Sequence, residues 1–66
     1  MKIDRFDIFL NKDIAVVKKV NGRHFFWEGL LREVNYDDNT IVIYSSRHGT
    51  TMLEVTDILE VKERRI

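Results

Sequence analysis

The chain has 66 residues, and its 11 basic and 11 acidic side chains give a formal net charge of zero at neutral pH. This length supports one small domain over residues 1–66, and the charge balance lacks the basic excess that wholesale electrostatic binding of nucleic acid requires. The chain has no cysteine and no apolar run long enough to span a bilayer, so we expect a cytoplasmic protein without disulfides, thiolate metal sites or a membrane partner.

The first predicted element is a short amphipathic helix within residues 3–11. Its apolar side chains follow nearly helical spacing, and they are Ile3, Phe6, Phe9 and Leu10. Asp4 is the candidate N-cap. Because so short a helix is marginal on its own, an extended arm is the alternative interpretation.

Short strands joined by tight turns are predicted for residues 14–63. The expected strands are 14–20, 23–35, 40–46, 51–55 and 58–63. Asn21-Gly22 is a strong hairpin signal, because a type I′ turn needs two residues with positive φ. Gly29 lies near the middle of the long second strand and indicates a bulge or bend there. The sequence therefore predicts an all-β fold, a strongly bent five-stranded small barrel with an N-terminal helix.

Three adjacent aromatic residues, Phe25, Phe26 and Trp27, lie in the second strand. Strand alternation directs Phe25 and Trp27 to one face and Phe26 to the other. We expect Phe25 and Trp27 to fill the barrel while Phe26 packs beneath the N-terminal helix. In the alternative, Phe26 or Trp27 stays partly exposed as an anchor for a partner or as a platform for base stacking.

Residues 21–43 combine short turn motifs with regularly placed aliphatic residues. The matching residues are Asn21-Gly22-Arg23, Trp27, Gly29, Leu31, Val34, Asn35, Asn39 and Ile41-Val42-Ile43. With the helix and the long second strand, this pattern resembles the Sm-like fold or a related SH3-like small barrel. From Gly29 onward the spacing of these residues is that of the Sm-like family. The interval from Asn21-Gly22 to Gly29 is longer than the corresponding interval in the family.

The resemblance implies binding of single-stranded RNA by an aromatic residue and an asparagine after the second strand and by an arginine before the last strand. Asn39 matches the asparagine, but the aromatic position falls on Asp37, beside Tyr36. The position of the arginine motif falls near Glu54-Val55, which reverses the charge. The resemblance therefore supports the fold and argues against simple inheritance of the family's uridine pocket.

Arg47 and His48 form a basic hairpin tip whose side chains can donate to phosphate oxygens; an ordinary solvated turn is the alternative. The candidate residues for nucleic-acid binding are Tyr36, Asn39, Arg47, His48 and Trp27. Single-stranded RNA is the expected partner.

Assembly is the second functional hypothesis. In Sm-like proteins the fourth and fifth strands of neighbours pair into rings, so the resemblance implies a homo-oligomer. The candidate interface residues are Met52, Leu53, Val55, Ile58 and Val61. In the alternative to RNA binding, the chain is a protein-interaction module that pairs with its own copies or with a peptide from a protein partner through an edge strand.

Catalytic chemistry is not indicated. Ser45 and Ser46 are consecutive strand residues, Asp37-Asp38 lies in a turn, and no glycine-rich phosphate loop is present, so no nucleophile and base are paired. His24 and His48 lack metal-ligand spacing. So small a barrel has little room for a pocket of about 300 Å³. We expect no enzyme activity, cofactor, metal ion or small-molecule substrate.

Overall fold

The computed structural model describes residues 1–64, which form an all-β fold as predicted. The elements in chain order are a 3₁₀ helix (Ile3–Phe9), β1 (Asp13–Val20), β2 (Arg23–Asn35), β3 (Thr40–Ser45), β4 (Gly49–Glu54), a 3₁₀ turn (Val55–Asp57) and β5 (Ile58–Glu63). No helix within these 64 residues has the length and apolar character needed to cross a membrane.

The five strands form one antiparallel sheet in the order β4-β3-β2-β1-β5. The long β2 joins its two halves: residues 23–30 pair with β1, and residues 30–35 pair with β3. The sheet is bent but not closed into a barrel, so β4 and β5 remain its outer strands.

The turn chemistry predicted from the sequence is present at the β1–β2 hairpin. Asn21 and Gly22 both have positive φ, 52° and 79°, as a two-residue hairpin turn requires. This turn fixes the register, in which Val20 faces Arg23 and Val16 faces Trp27.

Gly29 lies where β2 passes from one half of the sheet to the other. A β-carbon added there would lie 2.6 Å from the carbonyl oxygen of Tyr44, so only glycine allows β3 to approach β2 so closely. The register shift itself falls between Leu31 and Glu33. The predicted bulge therefore lies beyond Gly29, whereas the glycine permits a close backbone approach.

The core lies on the concave side of the sheet and includes one side chain from the N-terminal helix. Its buried members are Phe6, Ile14, Val16, Leu31, Ile41, Ile43, Leu53, Val55 and Ile58. The helix is of the 3₁₀ type, and its N-cap is Lys2 without a side-chain hydrogen bond, so the prediction of Asp4 as the cap is wrong. Seven residues are too few for a stable isolated helix, and burial of Phe6 holds this one in place.

The prediction for the adjacent aromatic residues is wrong for two of the three. Phe25 is 45% exposed and Phe26 is 60% exposed, while Trp27 is half-buried and packs against the core. The helix lies elsewhere, because its C-terminal extension hydrogen-bonds to Leu31: Asn11 N–H donates to the Leu31 carbonyl over 2.8 Å. The first half of β2 therefore extends beyond the reach of the helix.

Candidate functional site

A surface groove opens where β2 and β3 separate. β3 pairs with β2 only from Leu30, opposite Tyr44, and then turns into β4. The space between residues 26–30 of β2 and residues 44–48 of the β3–β4 hairpin has a volume of about 700 Å³. The sequence-based expectation concerned a pocket inside a small barrel, whereas this groove lies on the surface of the open sheet.

Aromatic side chains supply much of the apolar surface of the groove. Phe26 and Trp27 lie on its β2 side, and Tyr44, which is 45% exposed, lies on its β3 side. Exposed aromatic faces of this kind stack on nucleic-acid bases or on other flat apolar groups. The groove can therefore bind a planar ligand by contact area without a specific hydrogen-bond pattern.

The β3–β4 hairpin brings the side chains of Arg47 and His48 to the rim. The backbone N–H of His48 donates to the Ser45 hydroxyl over 3.0 Å, and Gly49, with φ 73°, completes the turn in the left-handed region. Arg47 lies at the exposed tip and forms no salt bridge with any residue between 1 and 64. Its guanidinium group is therefore available to an anion.

The opposite wall of the groove carries carboxylates that are already paired. Arg64 Nη1 lies 2.8 Å from Glu28 Oε2 and 3.5 Å from Asp13 Oδ2, and the Arg64 backbone N–H donates to the Asp13 carbonyl over 2.8 Å. With Arg47 included, two carboxylates and two guanidinium groups line the groove, and their charges cancel.

Two of the predicted nucleic-acid-binding residues, Tyr36 and Asn39, lie at the other end of β3. The six residues of β3 separate them from the groove by about 17 Å at the usual rise per residue. Hydrogen bonding to the Asp7 carboxylate raises the pKa of Tyr36, with slight burial and the negative charges of Asp7 and Asp4 adding to the effect. This end of the molecule is acidic and does not attract phosphate.

Asn39 has a structural role at that end. It has positive φ, 56°, and its carbonyl accepts a hydrogen bond from the Val55 backbone N–H over 3.0 Å. The preceding turn is closed by Asn35, whose side-chain oxygen accepts from the Asp38 N–H over 3.1 Å. The groove therefore unites Trp27, Arg47 and His48 but not Tyr36 and Asn39.

The sequence interpretation missed Tyr44, and it did not place Phe26 and Arg64 in one site with the hairpin tip. Strand alternation does provide a signal for Tyr44, because the buried Ile41 and Ile43 place it on the outer face. Its proximity to Phe26 depends on the point where β3 leaves β2, which local sequence does not encode.

The predicted oligomer-interface residues fall into two groups. Leu53, Val55 and Ile58 are buried in the core of the same chain, because they close the concave side of the bent sheet. Met52 is exposed on β4, and Val61 is half-buried on β5. Only these two keep surface for contact with a neighbour.

Comparisons of the chain with protein-family models, with curated proteins and with solved structures give no match. Across residues 1–64 no group of three or more histidine, aspartate or glutamate side chains is arranged to hold a metal ion. Function must therefore be argued from the groove and the free strand edges.

Proposed function

We propose that the protein is a non-enzymatic, cytoplasmic binding module with an Sm-like or related SH3-like architecture, and that its groove binds single-stranded RNA. The observation that carries this proposal is the combination of exposed aromatic faces with an arginine at the rim that forms no salt bridge within residues 1–64. Tyr44 and Phe26 offer stacking surfaces, and Arg47 lies at the hairpin tip beside them. Bases stack on such faces with little dependence on sequence, while arginine contacts phosphate.

The charge of the groove favours a short single strand as the ligand. Arg47 and His48 provide contacts for only one or two phosphates, so stacking supplies most of the affinity and the salt dependence is shallow. Stacking requires bases that are not already paired, which argues against duplexes. The balanced net charge of the chain agrees with this mode and not with a broad electrostatic footprint.

Assembly through β4 and β5 is the second candidate function. These are the two outer strands of the sheet, and each exposes one large apolar side chain, Met52 on β4 and Leu59 on β5. Free outer strands favour pairing with another chain. In the Sm-like interpretation, β4 of one copy pairs with β5 of the next, and the homo-oligomer presents several grooves.

Replacing Tyr44 by alanine should weaken binding of mixed-sequence single-stranded RNA by about 1–3 kcal/mol, because one stacking surface is lost. The slope of affinity against salt should change little. Tyr36→Ala is the matched control, since Tyr36 is similarly exposed but lies at the other end of β3. Fluorescence anisotropy measures both variants. If Tyr36→Ala weakens binding and Tyr44→Ala does not, the groove is not the RNA site.

Replacing Arg47 by glutamine should weaken binding to all RNA sequences and reduce the salt slope by about one unit, because one phosphate contact is removed. Arg5→Gln is the control, since it removes the same charge from the exposed surface of the N-terminal helix. Titrations at two salt concentrations give the slopes. Absence of any binding at about 50 mM salt, where electrostatic contacts are strong, would contradict RNA binding and leave assembly as the function.

A further inference from the structure

The first half of β2 has an unpaired edge. β1 pairs with residues 23–30 of β2, whereas β3 begins its pairing at Leu30. No other strand of the described chain covers the second edge of residues 23–29. Sheets usually protect such edges with lysine, proline or bulges. Residues 24–28 contain neither lysine nor proline, and their pairing with β1 shows no register shift.

The hydrogen-bond pattern between β1 and β2 determines which backbone groups of β2 face the free edge. The Leu31 N–H donates to the Lys12 carbonyl, on the β1 side. Because alternate residues of an antiparallel strand direct both backbone groups to the same side, Trp27 and Phe25 also bond toward β1. His24, Phe26 and Glu28 therefore direct their N–H and C=O groups away from β1, toward the free edge.

We propose that a second copy of this chain pairs with this edge, antiparallel to it, about a two-fold axis at Phe26. An isologous contact places the same segment on both sides. In this register Phe26 faces its own counterpart, Phe25 faces Trp27 of the other copy, and His24 faces Glu28 of the other copy. Aromatic pairs and opposite charges are the cross-strand neighbours that stabilise antiparallel sheets.

The segment His24–Glu28 is self-complementary only in this register. A shift by two residues toward the N-terminus places Glu28 opposite Gly22 and removes both histidine–glutamate pairs. Glu28 can contact His24 of the other copy while it keeps its salt bridge with Arg64. Arg64 contacts Oε2, and the other carboxylate oxygen remains available. Pairing also covers Phe25 and Phe26, the two aromatic side chains of this strand that neither the core nor the helix buries.

This contact is distinct from pairing through β4 and β5. It does not depend on RNA binding, although Phe26 belongs both to this contact and to the proposed RNA site.

An engineered disulfide tests the contact directly because the chain has no cysteine. Cα atoms of a hydrogen-bonded antiparallel pair are about 5.5 Å apart, within the range that a disulfide spans. Under mild oxidation Phe26→Cys should form a covalent dimer, and Tyr36→Cys should do so at least about tenfold more slowly, because only the first thiol is held beside its counterpart. Equal rates would overturn the proposal.

A charge exchange tests the register. His24→Glu should oppose two glutamates across the axis, and Glu28→Lys should oppose a histidine and a lysine, so each variant alone should lose the dimer that forms through this edge of β2. Mixing the two variants places the introduced glutamate opposite the introduced lysine and restores the histidine–glutamate pair at the other position, so a heterodimer should appear in sedimentation velocity. Circular dichroism checks that both exposed substitutions keep the fold. Assembly through β4 and β5 is common to all variants, so the comparison is with each variant alone. A mixture that associates no more than its separate components, or a single variant that associates as strongly as the unmodified chain, would refute the pairing.

Discussion

Replacement of Phe6 by alanine should remove a large part of the free energy of unfolding of this protein. Phe6 is fully buried and is the largest completely buried side chain, and it attaches the N-terminal helix to a core built by the strands. Removal of such a ring costs about 3–5 kcal/mol. A domain of this length has a total free energy of unfolding of only about 3–10 kcal/mol. Urea denaturation followed by circular dichroism and by Trp27 fluorescence measures the loss.

Ile8→Ala is the matched control for this experiment. Ile8 lies in the same helix but is 71% exposed, so its truncation should change the free energy of unfolding by less than about 0.5 kcal/mol. If both variants unfold at the midpoint of the original chain, the helix does not contribute its aromatic side chain to the core.

Local sequence was sufficient to predict most of the strands. The Asn21-Gly22 turn demands positive φ at both residues, and this requirement fixes the start of β2 and its register with β1. The polar turn before Thr40 is likewise closed by its own side chains, through hydrogen bonds between Asn35 and Asp38. Turn chemistry acts over a few residues, so it is readable without knowledge of the tertiary fold.

The position of the N-terminal helix was not predictable in the same way. Alternation indicates which β2 side chains share a face, but it does not indicate which half of a long strand other elements cover. The helix packs near Leu31, to which Asn11 is hydrogen-bonded, and leaves Phe25 and Phe26 uncovered. The position at which the helix packs on β2 depends on contacts between residues distant in sequence. The sequence therefore predicts Phe25 in the barrel interior and Phe26 beneath the helix, whereas both lie at the surface.

The candidate site was recoverable from the sequence in part. Arg47 and His48 were identified from their chemistry at a hairpin tip, and the structure places them beside Trp27. Tyr36 is grouped with them as a candidate RNA-binding residue because it adjoins the aromatic position of the Sm-like pattern, but it lies across the length of β3. Chemistry at one turn is local information, whereas the joining of two turns into one site depends on strand length and register.

Gly29→Ala should destabilise the protein by about 3 kcal/mol, the upper end of the usual cost of overpacking. The added carbon would lie 2.6 Å from the Tyr44 carbonyl oxygen and 3.0 Å from its carbonyl carbon. Both are backbone atoms, so a side-chain rotation cannot relieve the clash, and β3 must move away from β2. Because Tyr44 forms one wall of the groove, the substitution should also weaken RNA binding. Thermal denaturation and RNA titration measure the two effects.

Gly22→Ala separates this steric effect from ordinary loss of glycine flexibility. At Gly22 an added carbon meets nothing within 4 Å, but φ is 79°, so the cost is backbone strain of about 1–2 kcal/mol. That strain is confined to the hairpin tip and should leave RNA binding unchanged. In amide NMR spectra, Gly29→Ala should shift Tyr44 and Ser45, whereas Gly22→Ala should shift only the neighbours of its own turn. A Gly29→Ala protein with unchanged Tyr44 signals and full stability would show that β2 and β3 do not approach each other closely at this glycine. The position of Tyr44 in the groove would then not depend on Gly29.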